Sequence, residues 1–192
     1  MKIKSPILGL FVVLAFCAGS AAQSEQRIIR ADKPDDYDDA QPILEVQGLK
    51  VGDRAVSLNE IFIGNENWLK DLKITVKNVS QKDLRCVGVW MGVLEGLDTK
   101  LEPHASWGWK INYTNGQCTN SKTSNSVLRK GESVDLTCYF DRLSERTPWS
   151  TFHKAVLSYG YVKYKGDKKK AWHRDTRLTL PPNTHFLGND SY

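Results

Sequence analysis

From Pro42 onward the chain is made of short apolar runs that alternate with polar residues and stop at turn formers. Leu72, Ile74 and Val76 alternate with Lys73, Thr75 and Lys77. That period of two puts one face of a strand in a core and the other in water. Val134, Leu136, Cys138 and Phe140 repeat the pattern against Ser133, Asp135, Thr137 and Tyr139, after a turn at Arg129-Lys130-Gly131-Glu132. Ile43 to Val51, Ala55 to Ile63 and Leu69 to Val79 are further expected strands. Leu84 to Leu94 is apolar on both parities, which suits a central strand covered on both faces. Lys154 to Tyr164 and Ala171 to Leu180 complete the set, joined by a hairpin turn at 165–167. No long stretch carries a helical period, and Pro148 interrupts the one candidate turn of helix between Asp141 and Phe152. The expected fold is all-β, a two-sheet antiparallel sandwich of seven to nine strands.

The N-terminus sets the compartment. Lys2 and Lys4 precede an apolar run from Ile7 to Phe16 and a small-residue exit at Ser20-Ala21-Ala22, the layout of a cleavable signal peptide over residues 1–22. The run is too short to span a bilayer, so no transmembrane span is expected after its removal. Cleavage takes away two lysines and lowers the net charge from +5 to +3, an excess too mild to hold nucleic acid. Residues 23–41 are polar and include five aspartates between Asp32 and Asp39, and are expected as a disordered acidic leader. The domain is expected over 42–182, with 183–192 a tail beyond Pro181-Pro182. Cys17 leaves with the signal, so Cys86, Cys118 and Cys138 remain, an odd number in an oxidising compartment. One disulfide is expected: Cys118–Cys138, tethering a loop to the strand after it, or else Cys86–Cys138, with Cys118 left over.

Leu72 to Ser80, with Asn78 and Ser80 at its end, and Arg129-Lys130-Gly131-Glu132 before an apolar strand together resemble a pattern of secreted bacterial immunoglobulin-like modules, including FxLYD domains. The resemblance implies an immunoglobulin-like sandwich and no particular activity.

Candidate functional residues fall into two groups. Trp107, Trp109, Ile111 and Tyr113 share a parity and form an aromatic stripe if Ala105 to Thr114 is a strand. Four bulky side chains on one face are what a buried sheet face requires; exposed, Trp107, Trp109 and Tyr113 would stack on sugar rings. Trp68, Trp149 and Trp172, near turns or polar residues, read as the more exposed indoles. Lys163, Lys165, Lys168, Lys169, Lys170 and Arg174, interleaved with Tyr161, Tyr164 and Trp172, form the second group. Such a run is a solvated hairpin tip or a grip for anionic groups. His104, His153, His173 and His185 show no metal-ligand spacing, the aspartate run lacks the glycine and glutamate of a calcium loop, and no nucleophile motif occurs, so no metal and no cofactor are expected.

The expected role is therefore a non-catalytic binding module that is secreted, periplasmic or at the cell surface. Its partner would be a protein or polysaccharide of the cell envelope, met through the long connection 96–131 or the basic hairpin, with Lys168, Lys169, Lys170 and Trp172 at its tip. Carbohydrate binding by the aromatic stripe is one alternative. A secreted hydrolase assembled from loops around His104 or His153 is the other.

Overall fold

A computed structural model describes residues 25–31, 41–95, 109–115, 127–139, 152–168, 173–176 and 178–184. These form eleven strands and no helix. In chain order they are β1 (Glu25–Ala31), β2 (Leu44–Val51), β3 (Arg54–Val56), β4 (Ile61–Gly64), β5 (Leu72–Asn78), β6 (Leu84–Glu95), β7 (Trp109–Thr114), β8 (Ser133–Cys138), β9 (Phe152–Tyr164), β10 (His173–Thr176) and β11 (Leu178–Thr179). Hydrogen bonds join them into one path, β11-β2-β5-β8-β7-β6-β9-β1-β4, with β3 beside β2 and β10 beside β9.

The all-β expectation holds, with a different organisation. The strands form one mixed sheet: β1 runs parallel to β9 and β11 parallel to β2. Its inner face wraps a single core, in which Leu44 and Leu178 from one end of the path share a cluster with Ile29 and Phe62 from the other. Arg54 of β3 also reaches the far end, where its Nη1 donates to the Ile63 carbonyl of β4 at 3.5 Å. The sheet is thus curled nearly into a barrel, with a seam between β3 and β4.

Alternation explains most of the inner face. Leu72, Ile74 and Val76 of β5 and Leu136 of β8 are fully buried. β6 lies centrally, between β7 and β9: Val87, Val89, Met91 and Val93 face the core, while Cys86 is buried on the outer face. The 165–167 turn forms as expected, with Gly166 at φ 95° and Asp167 accepting from the Tyr164 amide.

Three expectations need correction. Residues 25–31 of the supposed leader are β1, filed between β9 and β4 with Ile29 fully buried; its pairing is with distant strands, which local composition does not announce. The stretch Ala55 to Ile63 is two strands. Asn59 breaks it at φ 62°, and its side-chain amide pairs with both the N–H and the C=O of Ala31, extending the β1 ladder by a side chain. Lastly, 96–131 is not one long loop. It contains β7, which sits between β6 and β8, and Leu128, which bridges back to Leu84.

The two segments that carry the family resemblance are neighbours. Asn78 donates its amide to the Glu132 carbonyl at 3.0 Å, and Gly131, at φ 81°, donates to the Asn78 carbonyl at 2.8 Å. The buried Asn78 side chain donates to the Lys82 and Leu128 carbonyls and accepts from Ser80. The motif is a structural knot between two turns.

Candidate functional site on the outer face of the sheet

The inner aromatic stripe is core where the structure describes it. Tyr113 is 0 % exposed and donates its hydroxyl to the Leu69 carbonyl at 2.6 Å. Burial, with the Cys138 sulfur beside it, pushes its phenol well above the ordinary pKa. Ile111 is buried with it. A sugar platform using Tyr113 is therefore overturned: its parity on β7 faces inward, opposite Val89 of β6. The Trp109 backbone pairs with Val93 on the same parity, and Trp107 lies outside the described residues. Trp68, expected near the surface, is fully buried, its Nε1 donating to the Phe152 carbonyl at 2.9 Å. Trp149 and Trp172 lie outside the described residues.

The basic hairpin is only partly in view. Lys165 and Lys168 are exposed, whereas Lys163 is buried on β9. Lys169 and Lys170 fall outside the described residues. The acidic run 32–39, His104 and Cys118 lie outside them too. Among the described residues no cysteine is bonded to another. Cys86 is one half of a disulfide whose other half lies outside them, and Cys138 is a buried thiol. Both expected bridges to Cys138 are thus corrected, since its parity turns it into the core beside Tyr113.

His153 has a structural partner. Its Nε2 meets a Glu25 carboxylate oxygen at 2.6 Å, and the same oxygen holds Arg27 at 3.3 Å. Arg27 is 1 % exposed and donates to the Phe152 carbonyl at 2.7 Å. Burial lowers its pKa, and the Glu25 charge opposes that shift. Glu25 and Arg27 come from β1 while His153 and Phe152 come from β9, so the group clamps the first strand to its parallel neighbour.

Side chains that sequence alone did not single out, Trp90, Tyr159 and Asn112, join Tyr161 on the outer face of β7, β6 and β9. Trp90 of β6 pairs across strands with Tyr159 of β9 and with Asn112 of β7, and all three are half-buried. The Trp90 ring lies 6.0 Å from that of Tyr161, tilted by 42°. Tyr161 in turn donates its hydroxyl to Asn112 Oδ1 at 2.7 Å. Burial raises the Tyr161 pKa, so the hydroxyl stays protonated and holds this bond. The result is a patch of rings with one fixed amide, open enough to be touched. The signal for it was present: Gly88, Trp90 and Gly92 share a parity of β6, and glycines on one side of an apolar strand mark a close approach by something large.

Among the described residues no group of acidic, histidine or cysteine side chains is placed to hold a metal ion, and no helix is long and apolar enough to cross a membrane. No family profile, curated protein or solved structure matches this chain.

Proposed function

We propose that the chain is an exported, non-catalytic binding module whose recognition face is the outer surface of β7, β6 and β9, and that polysaccharide is the ligand class it suits best. One observation carries this: Trp90 and Tyr159 are directly paired and half-buried, beside Asn112, whose carbonyl oxygen is held by Tyr161. Aromatic faces stack on the apolar faces of sugar rings, and an oriented amide distinguishes hydroxyl positions. The side chains are set by strands, so the face is largely preformed and little ordering cost opposes binding.

Export is supported by the N-terminal pattern and by the disulfide at Cys86, which belongs to an oxidising compartment. The hydrolase alternative finds less support, because His153 serves to clamp β1.

The test is acrylamide quenching and polysaccharide titration of the intrinsic fluorescence, comparing wild type with Trp90→Phe and Tyr159→Ala. The proposal expects soluble envelope polysaccharide to protect part of the emission, with that part missing in Trp90→Phe and protection lost in Tyr159→Ala. Protection unchanged in both variants would move the ligand elsewhere, and no protection by any polysaccharide would leave this reading without its ligand class.

A further inference from the structure

Among the described residues, two apolar side chains of β4 depart furthest from ordinary burial: Ile61 is 60 % and Ile63 52 % exposed. β4 ends the sheet path, with β1 as its neighbour. The direction of its main-chain groups follows from β1. Ile29 offers its carbonyl to the Asn59 amide, and Ala31 offers both its N–H and its C=O to the Asn59 side chain. Glu25, Arg27, Ile29 and Ala31 therefore turn their main-chain groups toward β4, where Gly64 faces Glu25 and Phe62 faces Arg27. Alternation then turns the N–H and C=O groups of Ile61 and Ile63 toward the seam, where no described strand pairs with β4. The Arg54 guanidinium agrees, since it reaches the Ile63 carbonyl from that side. An apolar strand with such an edge is a template for another strand.

We infer that β4 is a homodimerisation edge, and that its occupant is β4 of a second copy, antiparallel, with the two-fold axis at Phe62. In that register Ile61 faces the partner's Ile63, and Ile63 faces the partner's Ile61. Both are pairs that exchange N–H···O=C bonds in both directions, so four main-chain hydrogen bonds form and four isoleucine side chains gather on one face. The contact is self-complementary, as an isologous interface requires. Charge agrees with it. Glu60 falls opposite the partner's Gly64, beside the carbonyl that the partner's Arg54 contacts. Glu60 and Arg54 are both exposed, so a carboxylate meets a guanidinium on each side of the axis, and Arg54 exchanges its long bond to Ile63 for an ion pair. Four residues make a short edge, so the dimer is weak and reversible. This inference is independent of the ligand proposed above.

Sedimentation velocity of the purified protein over a range of concentrations tests it. The expected result is a monomer–dimer equilibrium that Ile61→Lys and Ile63→Lys each abolish, with the far-ultraviolet circular dichroism unchanged because both positions are exposed. Glu60→Arg should weaken the dimer about tenfold, and Glu60→Arg with Arg54→Glu should restore it. A protein that is monomeric at every concentration overturns the inference. So does a dimer that survives either lysine substitution, or a charge swap that fails to restore it.

Discussion

The phenol ring of Tyr161 lies where a side chain on Gly88, its cross-strand partner, would have to be. Glycine on β6 thus lets one ring of β9 cross the strand and bond Asn112 of β7, tying three strands together on the outer face. A Cβ at Gly88 would meet the ring inside any real contact distance. Gly88→Ala should therefore cost about 1–3 kcal/mol through displacement of Tyr161, read by urea unfolding, and should shift the Trp90 emission as its neighbour moves. Tyr161→Phe, which keeps the ring and loses the hydroxyl, should cost only about 0.5–1.5 kcal/mol. Equal effects from the two changes would contradict this account.

Tyr113 makes stability depend on alkaline pH. Its folded pKa lies well above the ordinary value because burial disfavours the phenolate. The folded state therefore holds a proton that the unfolded state releases near pH 10. The stability this confers is complete below that pH and declines as pH rises above it. Urea unfolding from pH 8 to 11 should show the decline, and Tyr113→Phe should flatten it. The same substitution should cost about 1–3 kcal/mol at pH 7, because it strands the buried Leu69 carbonyl. Tyr161 and Tyr164 are shifted in the same direction, so some slope should persist.

The Asn78 side chain serves the Lys82 and Leu128 carbonyls and the Ser80 amide at once. Asn78→Ala should lower stability by about 2–3 kcal/mol, since several bonds of one buried side chain are lost together, although the Leu84 amide still serves the Leu128 carbonyl and the Ser80 hydroxyl the Lys82 carbonyl. Asn78→Asp should be no better, because a carboxylate cannot donate to those carbonyls. Thermal unfolding of both variants checks the point. Asn78-Val79-Ser80 also spells a glycosylation sequon, and it should stay unmodified in the folded protein because the Asn78 side chain is buried.

Starting the chain at Asp32 should abolish cooperative unfolding. The truncation removes Ile29 from the core and Arg27 from the Phe152 carbonyl, and it takes away the strand to which β4 is paired. A dispensable leader would leave circular dichroism and melting unchanged, and that outcome would contradict the role given to β1.

Cys138 should be inert in the folded protein and react with a thiol reagent only on unfolding, since its sulfur is packed beside Tyr113 and Leu136 in the core. Labelling with and without denaturant, reductant absent, decides it. Rapid labelling of the folded protein at Cys138 would argue against the burial described.

What could be read in the sequence was what local alternation controls. The period of two in β5 and β8, the doubled apolar parity of β6 and the glycine turns at 131 and 166 all appear where expected. What escaped depends on distance along the chain. Residues 25–31 read as leader because Arg27 and Arg30 interrupt its apolar residues, yet Arg27 is accommodated by a carbonyl and a carboxylate brought by the fold. Asn59 split an expected strand because its side chain found Ala31, a partner no window around residue 59 contains. For the binding face, the expectation rested on the connection 96–131 and the basic hairpin, with the aromatic stripe as an alternative. Tyr113 proved to be core, while Trp90 and Tyr159 were hidden in strands whose second parity looked merely hydrophobic.

The parallel pairing of β1 with β9 also sets the order in which this protein can come into being. Ile28 waits for Lys154, and Arg27 for Phe152, so the first strand made has only β4 to pair with until most of the chain has followed. Until then the β1–β4 pair has no third strand to join it to the rest of the sheet. Contacts this far apart close slowly. The sheet cannot be completed while the C-terminal third of the chain is still being synthesised, and the export proposed above would draw on that delay.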